Sequence, residues 1–139
     1  MAETILAFDY GLRRIGVAVG QDVTASASPI GVVANGEGGV DHERIRAIIS
    51  EWHPTRLVVG MPTHADGSPG AMTAAVEVFI DELAQYELPI STIDERYSSL
   101  EAEQALKNAR QQGSRGRISK QDIDAAAAVF IAERYLAQC

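Results

Sequence analysis

The first twenty residues constrain the fold more than any other part of the chain. They contain an apolar run that ends in an acid, Ile5-Leu6-Ala7-Phe8-Asp9, and, after a short turn with Gly11, a second apolar run over Ile15–Gly20. A continuous apolar run is typical of a strand that is buried on both faces in the middle of a sheet. Asp9 ends the first run, and a carboxylate in such a place needs a metal ion or a basic group to offset its desolvation.

Hydrophobic spacing and turn residues predict the remaining elements. Two strands are predicted as a hairpin, Thr4–Asp9 and Arg14–Gly20, with Gly11 in the turn free to adopt a positive φ. A third strand is predicted over Ser28–Ala34, with Pro29 near its start or at a sheet edge. Two more strands are predicted over Leu57–Gly60 and Pro89–Ile93. The first helix is predicted to begin after Asp41, its N-cap, and to bury a stripe formed by Ile45, Ile48, Ile49 and Trp52. Three more helices are predicted over Met72–Leu83, from Ser98 to about Arg110, and from Asp122 or a neighbour to the end of the chain. This order predicts a single mixed α/β domain over residues 1–139.

Charge and composition narrow the class of protein. The net charge of −7 argues against unspecific nucleic-acid binding. However, the segment 107–120 carries five basic residues and no acid, a distribution compatible with a directional polyanion site. Its part Gln111–Lys120, which is polar and contains glycines, is expected to be a mobile loop. The single cysteine, Cys139, excludes an internal disulfide. Because the chain has neither a run of about twenty apolar residues nor a signal-peptide pattern, we expect a cytoplasmic protein that does not enter a membrane.

Acids follow two of the predicted strands and open the last helix. Asp9 ends the first strand, Asp94 and Glu95 follow the fifth, and Asp124 precedes four alanines that would let a helix pack closely on a sheet. Ligands of open α/β sheets gather beyond the carboxyl ends of the strands, so these acids are expected to converge. Simpler roles remain open for each, such as helix capping by Asp124 or pairing of Asp94 or Glu95 with a neighbouring arginine.

Converging carboxylates would repel one another unless cations lay between them. Oxygen ligands suit Mg²⁺ or Mn²⁺, and a pair of such ions about 3.5–4 Å apart supports phosphodiester hydrolysis. Arg13 and Arg14, beside Asp9, either contact phosphate or are merely solvated. The scattered histidines, with no ligand spacing, do not indicate a zinc site.

Four segments together resemble the YqgF/RuvX family, bacterial relatives of Holliday junction resolvases with a ribonuclease H-like fold. These segments cover the chain in order: Ala7–Gly11 with Ile15–Gly20, Val58–Pro62 with Asp66-Gly67, Asp94–Ala102, and Ile123–Ala127. The resemblance implies a five-stranded sheet in the order 3-2-1-4-5 with the second strand antiparallel to the others. It also implies a two-metal nuclease site formed by Asp9, Glu95 and Asp124, with Glu95 favoured over Asp94.

The same resemblance implies the contacts to substrate and the reaction. Arg96 with Ser99, and Arg117 and Lys120 in the basic segment, would face phosphates. Arg13 is a further candidate for phosphate contact because of its place beside Asp9, independently of the resemblance. The implied reaction is maturation of the 5′ end of precursor 16S ribosomal RNA by a metal-dependent endonuclease, monomeric or homodimeric. A resolvase acting on four-way DNA and a non-catalytic RNA-binding assembly factor are the alternatives. The chain departs from the family in having Ser99 where threonine is usual, and from classical resolvases in having Gly60-Met61-Pro62 where they carry an acid.

Overall fold

A computed structural model describes residues 3–61, 73–94 and 120–137. The strands are β1 (Thr4–Asp9), β2 (Arg14–Gln21), β3 (Ser26–Ala34), β4 (Arg56–Met61) and β5 (Ile90–Asp94). The helices are α1 (His42–Trp52), α2 (Thr73–Leu83), a short 3-10 helix (Ala84–Tyr86) and α3 (Lys120–Ala137). The predicted helix from Ser98 to Arg110 lies outside the described residues. Within the described ranges, no helix has both the length and the apolar character needed to cross a membrane.

The five strands form one mixed sheet in the order β3-β2-β1-β4-β5. β2 is antiparallel to both β1 and β3, whereas β1, β4 and β5 are parallel. This confirms the predicted ribonuclease H-like arrangement. Because parallel strands end at the same edge, Asp9 at the end of β1, Met61 at the end of β4 and Asp94 at the end of β5 mark one edge of the sheet.

The two faces of the sheet pack against different helices. Leu6 and Phe8 of β1 belong to a core cluster with residues of α1 and α2, and Phe8 meets Phe79 edge to face at 5.7 Å between ring centroids. Ile5 and Ala7 belong to a second cluster, which includes Ile131 of α3. The continuous apolar run of β1 therefore fills two cores, one on each side, as expected for a central strand.

Helix α1 begins at the predicted cap. The carboxylate of Asp41 accepts a hydrogen bond from the backbone N–H of Arg44 at 3.1 Å, which satisfies one of the free N–H groups of the first turn. His53 ends the helix in the left-handed region, with φ 49°. Of the predicted stripe, Ile45 and Ile48 are fully buried, whereas Ile49 and Trp52 are only partly buried at the edge of the core.

A polar bridge joins α1 to the end of α2. The imidazole of His42 contacts the Glu82 carboxylate through Nε2 at 2.7 Å and the Tyr86 hydroxyl through Nδ1 at 2.6 Å. Since a carboxylate only accepts hydrogen bonds, Nε2 carries a hydrogen. Burial is the main cause that raises the pKa of Tyr86 above its ordinary value of 10.0.

Several boundaries differ from the sequence-based prediction. β3 begins at Ser26 rather than Ser28, and Pro29 lies inside this edge strand, opposite Ala18, where the register of the β2–β3 pair shifts. An edge strand tolerates proline because one side needs no ladder hydrogen bond. α3 begins at Lys120, so this residue opens the helix instead of ending a loop, and Asp124 is an internal helical residue rather than a cap.

Candidate active site

A glycine in β2 brings α3 to the end of β1. Gly16 is the direct cross-strand partner of Asp9 in the antiparallel pair. A Cβ atom built on Gly16 would lie closer than 3.0 Å to the backbone carbonyl oxygen of Asp124 and 3.2 Å from the backbone nitrogen of Ala125. Only a residue without a side chain allows this approach of helix to strand. Gly16 therefore places the backbone of Asp124 next to the strand position opposite Asp9.

Strand alternation places Asp9 on the side of the sheet that α3 covers. Ile5 and Ala7 of β1 pack in the cluster with α3, and side chains two residues apart share a face. Asp9 continues this row and is half-buried, as is Asp124. The two carboxylates predicted to share a site thus lie on one side of the sheet, on elements in contact through Gly16.

Asp124 has a basic partner from the same hairpin. Arg14 Nε donates a hydrogen bond to Asp124 Oδ2 at 3.0 Å, and both side chains are 30% exposed. Arg14 is the first residue of β2 and lies two positions before Gly16, in the row that faces α3. The guanidinium partly neutralises the carboxylate. A basic group of this kind, or a metal ion, is what offsets the desolvation of a carboxylate at this edge of the sheet.

The turn between β1 and β2 is fixed by Asn35. The side-chain amide of Asn35 donates to the carbonyl oxygen of Gly11 at 2.8 Å, and its backbone N–H donates to the carbonyl oxygen of Arg13 at 2.9 Å. Gly11 is required for a close approach rather than for the positive φ that the sequence suggested, since a Cβ there would collide with the backbone oxygen of Arg14. The turn is therefore held from both sides.

This turn and α3 line a pocket that is open to solvent. Its volume is about 370 Å³, and its lining consists of Gly11, Leu12, Arg13, Arg14 and Asp124. Arg13 is exposed, so its guanidinium reaches solvent at the mouth of the pocket. The pocket thus combines a carboxylate with two guanidinium groups, which suits a ligand that carries both phosphates and a bound cation.

The structure accounts for only part of the predicted site. It places Arg13 and Asp124 in the lining of one pocket, and Asp9 on the side of the sheet that α3 covers. Glu95, Arg96, Ser99 and Arg117 lie outside the described residues, and only the backbone of Lys120 is described. Arg14 is not among the predicted phosphate contacts, yet it is the arginine that pairs with Asp124. The signal that could have selected it is the row of small residues Gly16, Ala18 and Gly20, which indicates the strand face that a helix approaches and to which Arg14 belongs.

The donor chemistry suits a hard divalent cation. Carboxylate oxygens are the ligands that Mg²⁺ prefers, and Asp9 and Asp124 supply them from one side of the sheet. Among the described residues, no group of three or more histidine, cysteine, aspartate or glutamate side chains is close enough to hold an ion. The third acid of the prediction, Glu95, directly follows the last described residue of β5. That strand ends at the same sheet edge as β1.

Comparisons with known proteins agree with this fold. The family model described as "RuvX: Holliday junction resolvase" matches residues 3–138. A protein of Burkholderia lata named "Putative pre-16S rRNA nuclease" is 43% identical over 136 residues, covering 97% of this chain and 89% of that protein. A protein of Paraburkholderia phymatum with the same name is 42% identical over 134 residues, covering 96% and 84%.

A solved structure has the same fold. The structure of Thermus thermophilus RuvC in complex with a Holliday junction substrate superposes with a TM-score of 0.60 at 15% identity, covering 98% of this chain and 94% of that one. At this level of identity the likeness concerns the fold, which is the five-stranded ribonuclease H-like sheet described above.

Proposed function

This chain belongs to the RuvX family, and we propose that it is a metal-dependent nuclease that hydrolyses phosphodiester bonds in structured nucleic acid. The observation that carries the proposal is the approach of α3 to β2 at Gly16, which brings the backbone of Asp124 to the strand residue that pairs with Asp9. A glycine inside a strand weakens that strand, and it often marks a place where a ligand or another backbone approaches closely. Here the contact places the half-buried Asp124 beside Gly16, whose cross-strand partner is the half-buried Asp9, at the edge of the sheet where ligands of α/β proteins bind.

Asp9 and Asp124, with Glu95, are the residues that would hold the cations. Two divalent cations bound there would supply an activated water and stabilise the leaving 3′-oxygen. Arg13, exposed at the mouth of the pocket, would contact a substrate phosphate, and Arg14 keeps the Asp124 carboxylate in place through its Nε. Arg96, Ser99, Arg117 and Lys120 complete the proposed set of phosphate contacts. Binding that depends on these cationic contacts should weaken as salt rises.

Precursor 16S ribosomal RNA is the proposed substrate, with cleavage near its 5′ end. Its support is the name shared by relatives that are 42–43% identical over nearly the whole chain. A four-way DNA junction is the second candidate, because the matching family model is described as a Holliday junction resolvase. A resolvase cuts two strands symmetrically and should therefore act as a twofold dimer.

The test is cleavage of two end-labelled substrates, a precursor 16S leader RNA and a synthetic four-way junction, in Mg²⁺, in Mn²⁺ and in EDTA. The inactive variant is Asp9→Asn, and the matched control is Asp81→Asn, which removes an exposed carboxylate from α2 on the other side of the sheet. We expect cleavage with either metal, none in EDTA or by Asp9→Asn, and normal cleavage by Asp81→Asn.

The products separate the candidate functions. Cleavage of the RNA alone supports a role in ribosomal RNA maturation, whereas paired symmetric cuts in the junction support a resolvase. Cleavage by Asp9→Asn at the rate of the parent protein would refute the carboxylate site. Metal-independent binding of RNA without any cleavage would replace the nuclease by a non-catalytic assembly factor.

A further inference from the structure

Leu12 is an exposed apolar side chain at the edge of the candidate active site. It lines the pocket together with Asp124 and the two arginines, yet 64% of its surface is accessible to solvent. The residues on both sides of it are fixed, because Asn35 binds the carbonyl oxygens of Gly11 and Arg13. The backbone therefore presents the isobutyl group to solvent in a fixed place, and little freedom remains for it to turn inward.

We propose that Leu12 packs against the ribose or base of a nucleotide next to the bond that is cut. The inference rests on the proposed nuclease function and adds a contact to it. Arg13 and Arg14 directly follow Leu12 in sequence, so a strand whose phosphates they attract brings its apolar sugar and base faces next to Leu12. Proteins that bind nucleic acid use leucine side chains in this way, against or between bases.

The chemistry of leucine determines what such a contact selects. An isobutyl group has no hydrogen-bond donor or acceptor, so it cannot distinguish bases by their edges. It gains affinity from any nucleotide that is unstacked or splayed enough to cover it. Leu12 is therefore expected to favour structured or distorted substrates over regular duplexes, without a preference for sequence.

A second exposed residue of the same sheet provides the matched control. Val23 is 74% exposed in the turn between β2 and β3, so it is as accessible as Leu12 and also lies in a hairpin turn. The two turns lie at opposite ends of β2, whose eight residues span about 26 Å. Its neighbours over 21–25 include Asp22 and no lysine or arginine, so no phosphate is attracted there.

The experiment measures equilibrium binding in the Asp9→Asn background, in which cleavage is blocked. Fluorescein-labelled leader RNA and four-way junction are titrated at several salt concentrations with the parent, Leu12→Ala, Leu12→Met and Val23→Ala. We expect Leu12→Ala to weaken binding about five- to tenfold, the effect of losing most of a buried isobutyl contact. The slope of log affinity against log salt should stay the same, because no phosphate contact is lost. Leu12→Met should keep most of the affinity, and Val23→Ala all of it.

The outcomes separate this inference from the proposed function. Equal affinities of Leu12→Ala and Val23→Ala would overturn the inference while leaving the nuclease intact. A flatter salt slope for Leu12→Ala would overturn it as well, since the change would then concern a phosphate contact. If the parent bound neither probe, both the inference and the proposed function would fail. Thermal unfolding of each variant confirms that the exposed substitutions leave the fold unchanged.

Discussion

Replacement of Gly16 by alanine tests whether the approach of α3 to β2 assembles the site. The added methyl group would lie closer than 3.0 Å to the carbonyl oxygen of Asp124, a separation that real Cβ atoms essentially never show. The obstructing atoms belong to the helix backbone and not to a flexible side chain, so α3 itself must move. Opening the contact to an ordinary van der Waals distance displaces the segment around Asp124 by more than 1 Å, and a misplacement of about 1 Å already costs on the order of 100-fold in catalysis.

The same change should also lower stability. Overpacking of a close contact costs about 1–3 kcal/mol, which for a domain of this size lowers the melting temperature by roughly 3–10 °C. The assays are the cleavage rate under single-turnover conditions and thermal unfolding. The matched control is Gly38→Ala, because a Cβ at Gly38 meets nothing within 4 Å and this glycine does not have a positive φ.

The two readouts together can refute this reasoning. If Gly16→Ala cleaved as fast as Gly38→Ala and melted at the same temperature, the approach at Gly16 would not position Asp124. If the variant were less stable but fully active, the contact would support packing without shaping the site. Only a large loss of activity in folded protein, at a temperature well below the midpoint, fits the structure.

Two further predictions concern polar contacts. Arg14→Gln should lower stability by less than about 1 kcal/mol, because the ion pair with Asp124 is partly solvated. Mg²⁺ should raise the melting temperature of this variant more than that of the parent, since the Asp124 carboxylate has lost its countercharge. Equal shifts of the two melting temperatures would contradict this. Tyr86→Phe should cost about 1 kcal/mol at pH 7, because His42 loses a hydrogen-bond partner. Burial raises the pKa of Tyr86 above its ordinary value of 10.0, so the neutral phenol stabilises the folded protein below pH 10 and this contribution is lost as the pH rises through the folded pKa. Urea unfolding should therefore show the difference between parent and Tyr86→Phe narrowing above pH 10, and a constant difference would refute it.

Local patterns predicted most elements because each depends on neighbouring residues. The apolar run before Asp9 and the cap at Asp41 are signals contained in a few positions, and the structure confirms both. The first and last residues of an element cannot be predicted from such local patterns where contacts with a neighbouring element determine them. β3 begins as early as Ser26 because this residue pairs with Gln21 of β2. The spacing of residues within β3 does not indicate how far the neighbouring strand extends.

The order of the strands and the identity of the third acid came from family resemblance, not from periodicity. Hydrophobic alternation shows which residues face a core, but β1 would show the same pattern beside any two buried strands. Likewise, the choice of Glu95 over Asp94 remains a prediction, since Glu95 lies outside the described residues. The only signal in the sequence that Asp124 lies near Asp9 is the run of alanines after Asp124. These alanines indicate that the helix packs closely on the sheet, but they do not indicate against which strand.

The described part of the site depends on one long-range contact. Asp9, Arg13 and Arg14 come from a hairpin whose two strands pair directly, so their arrangement is local. Asp124 is 110 residues away from Arg14 and joins them only when α3 docks against the row of small side chains on β2. Closing so long a loop costs chain entropy that local contacts do not repay, and the hairpin alone offers only one of the two carboxylates. Docking of α3 is therefore the step that completes this part of the site, and substitutions at the helix–strand contact should affect activity before they affect the sheet.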